Sequence, residues 1–147
     1  MTAPNKTYIV AVDGAEHSRK AARFALEQAR TVGADLVLAH VVEWSDRTWI
    51  NAIELDYIPT IRRAAEEKAR DEILTPMARE LEGQGPQVTT ELRFGDPAQA
   101  LCDIAQEKNA LLICTGARGR SDVASMILGS VTHQLIHISK VPLLLVP

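Results

Sequence analysis

Cysteine is scarce in this chain. There are two, Cys102 and Cys114, both in apolar surroundings and without the spacing of a disulfide framework. That argues against a disulfide-stapled secreted domain, gives both thiols a plain packing role, and suits a reducing, cytoplasmic setting. Positive charge is not in excess either: 16 Lys and Arg stand against 19 Asp and Glu, for a net charge of -3. No basic field runs along the chain, so nucleic acid is not an expected partner. Long hydrophobic runs are missing. Stretches such as Ala110 to Cys114 and Val141 to Val146 fall far short of the ~20 residues of a spanning helix, so no membrane partner is expected. The opening MTAPNKTYIV has no basic region followed by a long apolar segment, and no signal peptide is expected from it. Repeats, low-complexity tracts and linkers are also lacking. The 147 residues, 46% hydrophobic and 24% charged, are therefore read as one domain over 1–147.

What is present alternates between two periodicities. Tyr8–Val12 is a wholly apolar run, as a strand covered on both faces should be, and it ends in Asp13-Gly14. Ser18, Ala21, Ala22, Ala25, Leu26 and Ala29 recur at helical spacing, with Gly33 as the stop. Asp35–Val42 reads as a second strand. Glu43 to Tyr57 is irregular and carries Trp44 and Trp49, which either lid a ligand or cover an edge. A charged helix is expected from Pro59 to Leu81, with Pro76 kinking or dividing it. Gln87–Arg93 alternates like a strand with one wet face. Asp96 then caps a helix that has Pro97 in its first turn. Ala110–Thr115, Ser130–Ser139 and Leu143–Val146 complete the pattern as strand, helix and strand. Strand–helix alternation with apolar strands predicts a doubly wound, three-layer α/β sandwich around a five-stranded parallel sheet.

In such a sheet, ligands bind beyond the carboxyl ends of the strands where the strand order reverses. Two ends carry unusual residues: Asp13-Gly14 after the first strand, and Thr115-Gly116 after the fourth. Gly116, Gly119 and Gly129 follow the spacing Gly-x2-Gly-x9-Gly, and Ser130 opens the last helix. Gly116 and Gly119 let a phosphate approach the backbone and can turn with positive φ. The N–H groups near Ser130 and Val131, at a helix N-terminus, favour an anion. The hydroxyls of Ser130 and Thr132 can donate to phosphate oxygens, and Arg118 and Arg120 supply charge. This is the chemistry of a polyphosphate cradle. The nucleoside-triphosphatase loop Gly-x4-Gly-Lys-Ser/Thr is absent, as is Gly-x-Gly-x-x-Gly after the first strand.

These residues resemble those of the universal stress protein family. VAVDGAEHS (Val10–Ser18) is similar to its first-strand signature, LAHVVE (Leu38–Glu43) to its second strand and VPLLLVP (Val141–Pro147) to its last. GARGRSDVASMILGS (Gly116–Ser130) matches the Gly-x2-Gly-x9-Gly-Ser/Thr pattern of the ATP-binding branch. The resemblance implies a Rossmann-like fold of the adenine nucleotide alpha hydrolase kind. It implies ATP as ligand, with AMP and ADP as alternatives and magnesium bridging the phosphates. It implies Asp13 on the ribose or adenine side, Ala11 and Val12 lining that wall, and Val41 beside the adenine. Gly116, Ala117, Arg118 and Gly119 form the phosphate loop in this reading, and Gly129, Ser130, Val131 and Thr132 hold the phosphates. Ala11 and Ala15 depart from the proline and serine that ATP binders of the family often carry. The family also implies a homodimer. The apolar last strand, residues 142–146, lies at the sheet edge in this topology, where pairing with a second copy would shield it.

Three functional readings are open at this point. The first is a cytoplasmic, nucleotide-responsive regulator of the stress response that acts on an unidentified protein partner. The second is a slow ATPase or adenylyl-transferring enzyme, although no residue stands out as a base and Asp122 is a candidate only by sequence proximity. The third is a ligand-free interaction module. His133 and His137 share a helix face without an evident third metal ligand. His17 near Asp13 and Ser18 reads as a helix cap, His40 as packed, and Arg62 to Glu72 as a solvated helix face.

Overall fold

The computed structural model describes residues 5–44, 57–118 and 128–147. Trp49, Gly119, Arg120 and Asp122 lie outside the described residues. The chain order is β1 (Lys6–Ala11), α1 (Glu16–Val32), β2 (Ala34–Glu43), α2 (Ile58–Ala69), a π-helical turn (Arg70–Leu74) and α3 (Thr75–Leu81). Then follow β3 (Val88–Gly95), α4 (Pro97–Glu107), β4 (Leu112–Gly116), α5 (Ser130–Ile138) and β5 (Leu143–Val146). All pairings are parallel, in the order β3-β2-β1-β4-β5. The expected α/β sandwich with a five-stranded parallel sheet is therefore the observed one, and β1 and β4 are neighbours.

Why the central strands are apolar throughout is visible in β1. Tyr8 and Val10 point into a core with α1 and α3, together with Leu36 and Leu38 of β2. Ile9 points the other way, into a core with α4 and α5 that includes Val37, Ala39 and Ile113. Helices cover both faces, so neither parity of the strand meets water. The face of α1 is the one the periodicity gives, with Ser18, Ala21, Ala22, Ala25, Leu26 and Ala29 buried. The helix closes at Gly33, whose φ of 73° is a left-handed conformation that costs a glycine nothing. Asp96 accepts the Gln99 N–H at 3.0 Å and caps α4, with Pro97 in the first turn.

Pro76 divides the charged helix, but through a wider turn rather than a break. Proline lacks an N–H, and its ring crowds the carbonyl four residues back. Immediately before it the ladder slips to i→i−5, with the Thr75 N–H reaching the Arg70 carbonyl. The outer face of α2 is solvated, and Arg70 pairs with Glu66 one turn away at 3.1 Å. At the β3 edge, Trp44 meets Phe94 edge-on at 5.9 Å, and the Arg62 guanidinium sits 4.4 Å above the Phe94 ring. Trp44 thus covers an edge, the second of its two expected roles.

Ile9 is wholly buried on the central strand. Ile9→Ala is expected to lower unfolding free energy by about 2–5 kcal/mol, with an unchanged denaturant slope in urea melts. The Cys114 thiol is also wholly buried, and burial pushes its pKa up to about 12. At pH 8 it is protonated and enclosed. Alkylation of the native protein followed by peptide mapping should leave Cys114 unmodified until the chain unfolds.

Candidate functional site

Strand β1 stops at Ala11, while its neighbour β2 continues to Glu43. Beyond the end of β1 opens a cleft of about 440 Å³, walled by the ends of β2 and β4 and the start of α5. That volume is in the range of small-molecule sites. A second cavity, about 150 Å³ between α1 and the π turn, is too small for a nucleotide. The main cleft brings together Ala11, Val12 and Asp13 from the first strand end, Val41 from the second, and Gly116 and Arg118 from the fourth. Gly129, Ser130, Val131 and Thr132 complete it from α5.

Gly119, also expected there, lies outside the described residues. Ala117 is not among the lining residues. Ala117 is a positioning residue: its N–H donates to the Val146 carbonyl at 2.8 Å, and its carbonyl accepts the Gly129 N–H at 3.0 Å. Those two bonds pin the start of α5 between β4 and β5.

The end of the cleft at α5 is built from backbone. Gly129 precedes α5 in an extended conformation and offers no side-chain cap. The helix's first described backbone bond runs from the His133 N–H to the Gly129 carbonyl at 2.9 Å. The N–H groups of Ser130, Val131 and Thr132 precede it, and a first helical turn supplies no acceptor for such groups. They carry the partial positive charge of the helix end.

Two expectations change in detail. The Thr132 hydroxyl does not face outward as a phosphate donor. The residue is buried at 2% exposure, and its Oγ1–H donates to the Gly116 carbonyl at 3.0 Å, tying α5 to β4. Gly116 does not use positive φ; it is the last residue of β4. Its lack of a side chain serves packing, because a Cβ there would sit 3.2 Å from the His17 carbonyl and 3.3 Å from the His17 Cβ.

Asp13 is held in a compact turn. Its Oδ1 accepts the Ala15 N–H at 2.9 Å, and its own N–H donates to Ser18 Oγ at 3.2 Å. The Ser18 hydroxyl in turn donates to the Ala15 carbonyl at 3.0 Å. These bonds hold Asp13 at the end of β1, where it lines the cleft.

On the β2 side, the Val12 N–H donates to the Ala39 carbonyl at 2.9 Å. This is the last rung of the β1–β2 ladder. Backbone groups alternate along a strand: the Trp44 N–H points at β3, to the Gly95 carbonyl, so Val41 shares the β1-facing parity of Ala39. With β1 gone, the Val41 N–H and C=O face the cleft. The sequence did not mark Ser18, His40, Glu43, Pro97 or Leu101 as cleft residues, yet all five line it. Helix and strand periodicity assign Ser18, His40 and Leu101 to packing, and hide that the same atoms border a crevice.

His133 and His137 stack edge-on, with centroids 4.9 Å apart. Among the described residues, no group of three or more His, Cys, Asp or Glu is placed to hold a metal. None of the described helices is long and apolar enough to cross a membrane.

Comparison with known proteins agrees with the motifs. The model of the universal stress protein family matches residues 4–147. The chain belongs to the universal stress protein family. It is 33% identical to the universal stress protein YxiE of Bacillus subtilis over 143 residues, covering 94% of this chain and 96% of that one. Its fold superposes on universal stress protein UspA of Lactobacillus plantarum with a TM-score of 0.83 at 21% identity, covering 99% of this chain and 100% of that one. It likewise superposes on the universal stress protein of Archaeoglobus fulgidus, solved in complex with dAMP, with a TM-score of 0.71 at 21% identity over 99% and 100% of the two chains. In this universal stress protein, the glycine-spaced motif begins where β4 ends and finishes where α5 begins.

Thr132→Val removes the hydroxyl that ties α5 to β4 while keeping its shape. It is expected to cost about 1 kcal/mol of stability, and Thr132→Ser should restore most of it in thermal melts.

Proposed function

We propose that this universal stress protein binds ATP in the cleft, with ADP and AMP as alternatives, and that it acts as a nucleotide-responsive regulator. The observation that carries this reading is the pairing of two backbone surfaces in one crevice. At one end, the Val41 N–H and C=O present a donor and an acceptor side by side. Adenine offers the complement, with acceptor N1 next to the N6 amino donor. At the other end, the N–H groups of Ser130 to Thr132, which have no backbone acceptor among the described residues, suit phosphates together with Arg118 on the same wall. Asp13, on the β1 end of the same wall, would meet the ribose hydroxyls in this reading. A solved relative that binds dAMP supports an adenine nucleotide as the ligand class.

Magnesium arriving on the phosphates needs only one or two protein carboxylates. Among the described residues, Asp13 and Glu43 are the carboxylates that line the cleft. The ion would neutralise phosphate charge; the chain's own task is to bind and orient.

The homodimer belongs to the same reading. β5 is an edge strand with partly exposed Leu143, Leu144 and Leu145. Ile136 and Ile138 on the neighbouring α5 are 48% and 41% exposed. Pairing β5 with β5 of a second copy would satisfy the edge and cover these side chains. A cytoplasmic partner protein would then read the nucleotide state of the pair.

Mass spectrometry of the small molecules released on denaturation should find an adenine nucleotide. Titration calorimetry should give ATP affinity that falls about tenfold or more in Ser130→Ala and Arg118→Ala. Absence of nucleotide and of binding heat would overturn the reading, and turnover that disappears in Asp13→Asn would mark an ATPase instead. In sedimentation experiments the wild type should be a dimer and Leu145→Lys a monomer.

A further inference from the structure

One imidazole sits where the next rung of the β1–β2 ladder belongs. After the Val12 N–H to Ala39 carbonyl bond, a continuing parallel ladder would run from the Val41 N–H to the Val12 carbonyl. That bond is not formed. The Val12 carbonyl is bonded instead to His40 Nδ1, at 2.7 Å. A carbonyl only accepts, so Nδ1 carries the proton. His40 is half-buried and lines the cleft itself.

We infer that His40 is a positioning residue for base selection: by occupying the Val12 carbonyl, its imidazole ends the β1–β2 ladder and leaves the Val41 donor–acceptor edge open to a purine. This rests on the proposed reading that the cleft holds an adenine nucleotide. The chemistry goes in three steps. A backbone carbonyl at the end of a buried strand needs a donor. If the Val41 N–H supplied it, β1 and β2 would zip one rung further, and the donor beside the Val41 carbonyl would be consumed. With His40 as donor, the carbonyl is satisfied and Val41 keeps both groups. The remaining edge, a donor next to an acceptor, fits adenine. It opposes hypoxanthine, whose N1 is a donor and whose O6 is an acceptor. Leaving buried polar groups mismatched is what makes such a site reject the wrong base.

The test uses His40→Phe, which fills the space without a donor, and His40→Asn, whose side-chain amide can donate from nearly the same place. His40→Leu is the alternative if the phenyl ring prevents folding. The first measurement needs no ligand: amide hydrogen exchange at Val41, followed by NMR. The expected result is fast exchange in the wild type and His40→Asn, and at least about tenfold slower exchange in His40→Phe as the rung closes. The second is the ratio of affinities for adenosine and inosine monophosphate by calorimetry. That ratio should fall about tenfold in His40→Phe and recover in His40→Asn. A general loss of structure would weaken both nucleotides alike and leave the ratio unchanged. Unaltered Val41 exchange in His40→Phe overturns the ladder role, whatever the nucleotides do. Slower exchange with an unaltered ratio overturns the role in base selection. A wild type that binds neither nucleotide refutes the proposed function and with it the base-selection role, while the exchange result still judges the ladder.

Discussion

Everything that distinguishes this site depends on where β1 stops. A parallel strand in the middle of a sheet must pair on both sides, and β1 does so against β2 and β4. Its pairing ends at Ala11, while β2 runs on to Glu43 beside β3. A central strand that stops before the strands on either side of it leaves a notch, and the notch is the cleft. Its walls are therefore strand ends, rigid because each is held in the ladder just below. The same constraint explains why so much of the wall is backbone. Groups that would have paired with a longer β1 face the crevice instead.

Small side chains and single hydroxyls turn that notch into a defined shape. The cleft side of α1 approaches β4 so closely that a Cβ at Gly116 would crowd the His17 backbone at 3.2 Å. Thr132 and Ala117 tie the start of α5 to β4 and β5, through the Gly116 and Val146 carbonyls. None of these contacts is strong alone, at about 1 kcal/mol for a typical hydrogen bond. Their effect is to hold the positive end of α5 at a set distance from the ends of β1 and β2. Preorganisation of this kind lowers the ordering that binding would otherwise require.

How much of this was readable from the residues follows from what each periodicity encodes. The apolar runs and the face of α1 gave the sheet and its helices because burial on two faces leaves a direct trace in composition. The glycine spacing pointed to the cleft end at α5, and the family resemblance pointed to Asp13 and Val41, which line the same cleft. Roles within the cleft were harder to read. A threonine in a helix's first turn looks like a free hydroxyl until the fold supplies the Gly116 carbonyl. A glycine after a strand looks like a tight turn until α1 packs against it. His40 follows the β2 pattern, and nothing along the chain shows that Val12, 28 residues earlier, ends within its reach. These are contacts between distant segments, set by strand register. The π turn before Pro76 is a local case, since proline predicts a disturbance but leaves its form to the neighbouring packing.

The central claim is that one crevice joins a base-reading edge at Val41 to a phosphate-reading helix end at Ser130. The most direct measurement is the map of backbone amide shifts when ATP is added to the isotope-labelled protein. The account predicts that the largest changes fall together on Val41, Asp13 and Ser130 through Thr132, and saturate with a single affinity. Shifts confined to other surfaces, or none at saturating ATP, would contradict it.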